Sequence, residues 1–404
     1  MRPLRILSLT AGVLIGALLY QNSVGEAQAQ MSRPGAIPTL VYVGTYTGEK
    51  SKGIYVFSLR TSGNEVSQNI TLVPMGLAAE TPNPSFIELD VKRRLLFAVN
   101  EVDEFQGKPT GSVSAFSIEQ KTGKLTLINQ VASGGRGPCH LILDKEGKNL
   151  LVANYSSGTV AVVPVATDGR LGEATSVIQH TGRSVHPEIQ KGPHAHGVAL
   201  DAANQFAFVT DLGLDKVMIY KFDAKQGKLT PNEPPFAKLK PGAGPRHIEF
   251  RPDGRFAYVL NEMDSTVTAF SYDAAKGALT EVQTTTTLPG YYEGPNTTAE
   301  LGIHPNGNYL YASNRGHNSV VLFNIDKDKG TLEYVEEQGT GGKTPRHFGI
   351  QPSGQHMAIG NQNSDTVLAS RIDAGNGRLK PSGIFADVGS PACIKFLPPP
   401  EPAK

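Results

Sequence analysis

The sequence predicts an all-β fold: a seven-bladed β-propeller with four antiparallel strands per blade and one blade closed by both termini. Three observations lead to this prediction. Six segments share one internal offset without gaps, apolar strand patterns recur around them at a period of about 50 residues, and the two ends of the chain supply complementary parts of one more repeat. The helical period of apolar residues is absent throughout.

Three aligned columns define the repeat. The column of His247 consists of Phe86, His140, Gly197, His247, Glu300, His347 and Cys393. The column before it consists of Ser85, Cys139, His196, Arg246, Ala299, Arg346 and Ala392. The third column, at one constant offset after that of His247, consists of Glu101, Tyr155, Leu212, Glu262, Arg315 and Gln362. Asn or Asp precedes each member of the third column. A shared offset in six segments indicates internal repetition.

Strand and turn patterns fill each repeat in the same order. Residues 244–262, GPRHIEFRPDGRFAYVLNE, contain an apolar strand, a Pro-Asp-Gly turn and a second apolar strand. A third strand follows in each repeat, such as TVTAFSY or SVVLFNI, and then a Gly-containing turn such as AKGAL or DKGTL. A fourth strand leads to the next repeat. Four strands at this period are typical of a propeller blade.

The chain ends complete the ring. The segment LVYVGTYT at 40–47 matches a second strand, GIYVFSL matches a third, and ACIKFLP near the C-terminus matches a first strand. The six full repeats and this shared blade make seven, and the closure leaves no open sheet edge. We therefore expect one propeller domain over residues 38–398, followed by a short tail over 399–404.

The first 29 residues have the pattern of a signal peptide. Arg2 and Arg5 precede an apolar run from Ile6 to Tyr20, and an Ala27-Gln28-Ala29 site follows. The alternative is an uncleaved membrane anchor, but the run is short for a span of about 20 residues. Cleavage would leave a lead-in over 30–37 and an exported protein, periplasmic or secreted, that has no membrane partner.

The charge and the cysteine content argue against a nucleic-acid partner, a disulfide and a metal site. The formal net charge is +1, which argues against a nucleic-acid partner held by bulk charge. Cys139 and Cys393 are the two cysteines, and they fall in different repeat columns. We expect two unpaired, buried thiols rather than the disulfide that an exporting compartment would permit. No zinc-type spacing occurs, and His140, His196 and His347 lie on blades spread around the channel, so neither a metal nor another cofactor is predicted.

The repeat columns place a candidate site at one mouth of the channel. First strands line the channel, and each first strand begins where its second strand ends, so the three columns should meet there. Glu262 and Arg315 occupy equivalent positions in adjacent blades yet differ in charge, and Arg246 and Arg346 interrupt a column of small or neutral residues. Such asymmetry suits an asymmetric anionic substrate. The alternative for any single His or Asn is a structural bond between blades.

These residues resemble the seven-bladed β-propeller lactonases, a family that includes propeller-type 6-phosphogluconolactonase and the carboxy-cis,cis-muconate cyclising enzyme. The resemblance covers residues 38–398 and includes VYVGTYT, GPHAHGVALD, LGLDKVMIYKFD, GPRHIEFRPDGRFAYVLNE and LYASNRGHNSV. It implies a catalytic set of His196, Arg246, Glu262 and Arg315, with His194 as a rival for the histidine. It implies a substrate pocket shaped by His194, His247, Glu300, Arg346, His347, Glu101 and Tyr155.

The implied function is hydrolysis of a sugar lactone, similar to that of 6-phosphogluconolactonase. Glu262 or His196 would act as general base for water, and Arg246 and Arg315 would bind and stabilise the anion. Two alternatives stay open: a non-catalytic exported propeller that binds a ligand or partner, and a cycloisomerase of the muconate type. The phosphorylated lactone is cytosolic, so an export signal favours another lactone. A monomer is the expected oligomeric state.

Overall fold

The fold is built from short antiparallel strands in seven sheets. The computed structural model describes residues 38–62 and 69–400. The predicted signal peptide and the lead-in over 30–37 lie outside these residues, as do positions 401–404 of the predicted tail. The strands in chain order are β1 (Thr39–Thr45), β2 (Gly53–Ser62), β3 (Asn69–Glu80), β4 (Ile87–Asp90), β5 (Leu95–Asn100), β6 (Ser112–Ile118), β7 (Leu125–Ala132), β8 (Pro138–Leu143), β9 (Asn149–Asn154), β10 (Thr159–Pro164), β11 (Ser176–Gln179), β12 (Ala195–Leu200), β13 (Phe206–Asp211), β14 (Lys216–Asp223), β15 (Lys228–Lys238), β16 (Pro245–Phe250), β17 (Phe256–Asn261), β18 (Thr266–Asp273), β19 (Ala278–Thr286), β20 (Thr298–Ile303), β21 (Tyr309–Asn314), β22 (Ser319–Ile325), β23 (Leu332–Gly339), β24 (Pro345–Ile350), β25 (His356–Asn361), β26 (Thr366–Ile372), β27 (Leu379–Asp387) and β28 (Pro391–Leu397). One 3-10 turn (Gln362–Ser364) follows β25.

Each sheet is one blade of a propeller. Blades 1 to 6 are β4–β7, β8–β11, β12–β15, β16–β19, β20–β23 and β24–β27, and the seventh sheet has the order β28-β1-β2-β3. In that closing blade the C-terminal β28 is the first strand, and Leu40 pairs with Leu397. The fold class, the four antiparallel strands per blade and the closure by both termini are therefore confirmed. In the described residues no helix is long and apolar enough to cross a membrane.

A β-bulge recurs where the first strand of a blade begins. The register between first and second strands shifts between Pro138 and His140, between Ala195 and Gly197, between Pro245 and His247, and between Pro345 and His347. The residue left over in each case belongs to the column of Arg246. A bulge re-aims the extra side chain, so residues of both columns can point into the channel where a regular strand would alternate them.

Aromatic residues and turn glycines join neighbouring blades. The hydroxyls of Tyr42, Tyr258 and Tyr311 donate to the carbonyls of Gly123, Gly330 and Gly377, each in the turn between third and fourth strands of the next blade. These glycines have φ near +70°, and a Cβ at Gly330 would collide with the ring of Phe256. Glycine is needed in this turn because both its backbone conformation and the aromatic contact exclude a side chain.

We expect the change Tyr258→Phe to destabilise the protein by about 1–3 kcal/mol. Tyr258 is fully buried, and its hydroxyl lies 3.0 Å from the Gly330 carbonyl oxygen, which would lose this partner. The measurement is equilibrium unfolding in urea. The control is Tyr291→Phe, since Tyr291 is 72% exposed and should change stability by less than about 0.5 kcal/mol. Equal, small effects in both variants would contradict a role of this bond in holding blades together.

The two cysteines behave as expected. Cys139 and Cys393 are free and buried in the described structure, and each lies beside the central channel. Burial raises the pKa of the Cys393 thiol to about 12, and it raises that of Cys139 further. Both thiols are therefore protonated near neutral pH and are poor nucleophiles.

Candidate functional site

The candidate site lies at the channel mouth where the first strands begin. Glu262 immediately follows β17, and Arg315 follows the equivalent strand β21 of the next blade. Arg246 is the bulged residue of β16. The structure therefore brings a carboxylate and two guanidinium groups together from two adjacent blades, as the repeat columns predicted.

Glu262 is held between the two arginines. Its Oε2 accepts from Nη1 of Arg246 at 3.0 Å, and its Oε1 lies 2.9 Å from Nη2 of Arg315. Burial alone would raise the pKa of this carboxyl, but Arg246 and Arg315 outweigh it, and the pKa is below its ordinary value. Glu262 is therefore ionised near neutral pH. Its side chain retains 20% exposure, which leaves it accessible from the mouth.

Arg315 has one N–H group without a hydrogen-bond partner in the described structure. Its Nε is buried and has no hydrogen-bond partner among the described residues, while Nη2 bonds to Glu262. Burial lowers the pKa of Arg315 to about 10, so the guanidinium stays charged near neutral pH. The Arg315 side chain keeps 15% exposure, so the end of its guanidinium, next to a carboxylate, can donate to a carbonyl oxygen at the mouth.

His196 supports Arg246 from the neighbouring blade. Nη1 of Arg246 contacts Nε2 of His196, and Nε of Arg246 donates to the Ala299 carbonyl at 2.6 Å. A guanidinium only donates, so Nε2 of His196 accepts and the ring proton resides on Nδ1, 3.8 Å from Sγ of Cys139. Burial, and then Arg246, hold the pKa of His196 well below its usual range. The imidazole is neutral.

His194 is placed differently from His196. Its ring stacks on Tyr155 with centroids 4.4 Å apart, and its Nδ1 lies 3.0 Å from the Tyr155 carbonyl oxygen. Tyr155 in turn meets the His196 ring edge-on at 5.4 Å. His196 is thus the histidine in contact with the arginine and carboxylate, and His194 and Tyr155 form one wall beside it.

A second charged group at the mouth includes a residue that the sequence analysis missed. The hydroxyl of Tyr46 donates to Oε2 of Glu101 at 2.7 Å and accepts from Nη2 of Arg346 at 2.7 Å. The Arg346 guanidinium lies over the Tyr46 ring, 5.0 Å from its centroid. Thr45 pairs with Pro391 as Asn261 pairs with Pro245. Tyr46 therefore occupies the Glu262 position of the closing blade, and extending that column to the closing blade would have found it.

Three further predicted residues form a layer deeper in the channel. Oε2 of Glu300 lies 3.3 Å from Nδ1 of His247 and 3.3 Å from Nε2 of His347. All three line a cavity of about 640 Å³ that reaches Val91, Lys145, Pro305 and Pro352 at the opposite mouth. We call it the distal cavity. Arg246, Glu262 and Arg315 are not among its lining residues. The structure thus separates His247, Glu300 and His347 from the ion-paired group at the mouth.

No group of three or more His, Cys, Asp or Glu side chains in the described ranges could hold a metal ion. The site is instead a set of charged groups paired with one another: Glu262 with Arg246 and Arg315, and Glu101 with Arg346 through Tyr46. Such a set can bind a polar substrate, polarise a carbonyl and take a proton from water.

Comparison with known proteins places the chain in a family. Residues 40–396 match the family model described as "Lactonase, 7-bladed beta-propeller". The chain belongs to the seven-bladed β-propeller lactonase family. The resemblance noted in the sequence is thereby confirmed.

Individual members of the lactonase family are similar over most of their length. The 6-phosphogluconolactonase of Bacillus subtilis (strain 168) is 33% identical over 356 residues, which are 88% of this chain and 97% of that protein. The 6-phosphogluconolactonase of Formosa agariphila is 32% identical over 312 residues, 76% of this chain and 84% of the relative. The periplasmic gluconolactonase PpgL of Pseudomonas aeruginosa superposes with a TM-score of 0.81 at 34% identity, covering 90% of this chain and 99% of PpgL.

Proposed function

We propose that this protein hydrolyses a sugar lactone to the corresponding aldonate. The observation that carries the proposal is that a partly exposed Glu262 pairs with both Arg246 and Arg315 at the channel mouth. Membership of the lactonase family and relatives named as 6-phosphogluconolactonase and gluconolactonase support it.

In the proposed mechanism the lactone carbonyl oxygen accepts from the exposed end of the Arg315 guanidinium, and Glu262 takes a proton from the attacking water. The water oxygen bonds to the carbonyl carbon, and negative charge builds up on the oxygen beside Arg315. Collapse of this tetrahedral intermediate breaks the bond to the ring oxygen, which receives the proton held by Glu262. The product carboxylic acid then ionises and releases one proton to water.

Glu262 is a better candidate than His196 for the base. Nε2 of His196 already accepts from Arg246, and its Nδ1 carries the proton, so neither nitrogen can accept from water without rearrangement. His196 is also only 5% exposed. We assign it as a positioning residue that orients Arg246. Substrate binding to the arginines would weaken their bonds to Glu262 and so make the carboxylate more basic.

We favour an uncharged sugar lactone over a phosphorylated one because of the predicted export signal, since the charge at the mouth would accept either. Arg246 and Arg315 share Glu262, and Arg346 is linked to Glu101 through Tyr46. The three arginines exceed the two carboxylates by one positive charge, so the mouth attracts anions and does not exclude a phosphorylated lactone. The predicted signal peptide agrees with this choice, and we propose that the protein is exported, as the name of PpgL states for that relative.

The proposal is tested by measuring proton release from glucono-1,5-lactone in a weakly buffered indicator assay, with spontaneous hydrolysis subtracted. The phosphorylated lactone and a carboxylated muconolactone are run in parallel. Hydrolysis of the neutral lactone with a higher kcat/KM than of the phosphorylated one supports the proposal. Absence of turnover with any lactone, in protein that is folded by circular dichroism, would favour a binding propeller. Reaction of the muconolactone alone would favour a cycloisomerase.

We expect kcat/KM to stay constant as the pH falls from neutral towards about 4.3. The pKa of Glu262 lies below its ordinary value, because the two arginines outweigh burial, so the base stays deprotonated until the pH falls below about 4.3. The measurement is kcat/KM between about pH 4 and pH 8. A loss of rate centred near about 6.5 would instead indicate an ordinary histidine as the base and would contradict the assignment.

A further inference from the structure

We propose that the distal cavity is a second ligand site, which binds a small organic cation at the channel mouth opposite the candidate active site. The cavity has a volume of about 640 Å³. It is lined at its inner end by Glu300 and His247 and along its wall by Glu249, and it opens where the first strands end. This site does not depend on the proposed lactonase activity.

The cavity contains more carboxylates than cations to match them. Nζ of Lys395 bonds to Oε2 of Glu88 at 3.0 Å, and no lysine or arginine of the described residues forms an ion pair with Glu249 or Glu300. Within the described ranges, Oε2 of Glu249 accepts one hydrogen bond, from the Ile303 backbone N–H at 2.8 Å. Buried carboxylates are normally paired with a positive charge. A bound cation would therefore supply the partner that these two carboxylates lack.

The histidines of the cavity do not supply this charge. Burial lowers the pKa of His347 to about 3, although Glu300 opposes the shift, and burial holds the pKa of His247 and of His140 well below the usual range. Lys145 is exposed at the rim. The carboxylates at the inner end are therefore surrounded by neutral imidazoles.

Two buried polar atoms at the inner end have no hydrogen-bond partner. Oε2 of Glu300 and Nε2 of His247 lack a hydrogen-bond partner among the described residues, and these residues are only 7% and 4% exposed. Oε2 of Glu300 approaches two imidazole nitrogens at 3.3 Å without an aligned hydrogen bond. Buried polar atoms of this kind usually have a partner. An ammonium group in the cavity would provide three donors for carboxylate oxygens of the lining and a charge that pairs with them.

The remaining wall selects an organic cation rather than a bare metal ion. It includes the rings of Phe86, Phe250, Phe348 and Phe396 and aliphatic side chains such as Leu200. Aromatic faces attract ammonium groups, and Nζ of Lys395 already lies 5.1 Å from the Phe86 centroid. The apolar wall would cover an alkyl chain, which gains free energy on leaving water.

Binding should depend on pH through Glu249. Burial raises the pKa of this carboxyl to about 7, and a bound cation favours its ionised form. Below about pH 7 the cation must displace a proton, so affinity should fall as the pH falls, by up to tenfold per unit. The other titratable groups that face the cavity are Glu88, His140, Lys145, His247, Glu300, His347 and Lys395.

The test is calorimetric titration of the full chain with n-butylammonium chloride. The two control ligands are n-butanol, which has the same alkyl chain without the charge, and sodium chloride, whose cation has the same charge without the alkyl chain. We expect saturable binding of n-butylammonium alone, stronger at pH 8 than at pH 5. The change Glu249→Gln should weaken it at least about tenfold and reduce the pH dependence, of which a part remains because burial also raises the pKa of Glu300. The control is Glu333→Gln, because Glu333 is exposed on the outer strand β23.

Three results would overturn the proposal: no saturable binding at millimolar amine, equal binding of the alcohol, or unchanged affinity in Glu249→Gln. Should that variant fail to fold, the wild-type comparison of amine with alcohol at both pH values decides alone. Neither measurement uses a lactone, so the outcome is independent of whether the protein hydrolyses one.

Discussion

The change Glu262→Gln should lower kcat for lactone hydrolysis at least about a hundredfold, the scale of removing a general base. Glutamine retains the size of the side chain but cannot take a proton from water. Its carbonyl oxygen can still accept from one of Arg246 and Arg315, while its NH₂ group faces the other donor. The arginines then carry a charge that Glu262 no longer balances. We therefore also expect tighter inhibition by the aldonate product.

The comparison for Glu262→Gln is Glu333→Gln, which removes the same charge from an exposed outer strand and should leave kcat unchanged. Circular dichroism and melting curves of all three proteins separate a loss of base from a loss of fold. A kcat within about threefold of wild type, on a lactone that the wild type turns over, would remove Glu262 from the mechanism.

The change Arg315→Ala should lower kcat by about a hundred- to a thousandfold, the usual effect of losing one oxyanion donor. It removes the guanidinium donor at the mouth and one of the two ion pairs of Glu262. Because Arg315 is one of the two groups that outweigh burial at Glu262, the pKa of that carboxyl should rise. The acid limb of the pH–rate profile should then move upward, a change that simple loss of binding would not cause.

Arg315→Lys refines this test, since lysine retains the charge but has no guanidinium group. We expect most of the rate to be lost while the acid limb stays near its wild-type position. Arg378→Ala is the matched control, because Arg378 is exposed beside β27 and pairs with Glu336. A drop confined to KM, with kcat preserved in both Arg315 variants, would make Arg315 a binding residue that does not stabilise the transition state.

The sequence alone predicted the architecture because three independent features of the chain show the same repeat. The offset between columns, the turn chemistry and the split terminal blade all specify the same ring, and the structure confirms it. The meeting of Arg246, Glu262 and Arg315 also followed from the columns, since strand ends in adjacent blades share one mouth. The catalytic and binding roles of these residues stay predictions.

Other features could not be predicted because they depend on local irregularity. The bulge at the start of β16 lets Arg246 and His247 both face the channel, and no residue type in the sequence predicts it. Tyr46 escaped notice because Thr45 stands where other blades have Asn or Asp. The separation of Glu300, His247 and His347 from the mouth, and the distal cavity itself, depend on side-chain depth along the channel, which repeat columns do not encode.

The closing blade has a consequence for how the protein reaches its folded state. Leu40 and Leu397 are paired neighbours although 357 residues separate them in the chain (397 − 40). Closing so long a loop in an unstructured chain costs about 5 kcal/mol from the logarithmic length term alone. If blades 1 to 6 form first, they hold the two ends near each other and remove most of that cost. We therefore expect β28 to dock late, and β1 to expose an aggregation-prone edge until it does.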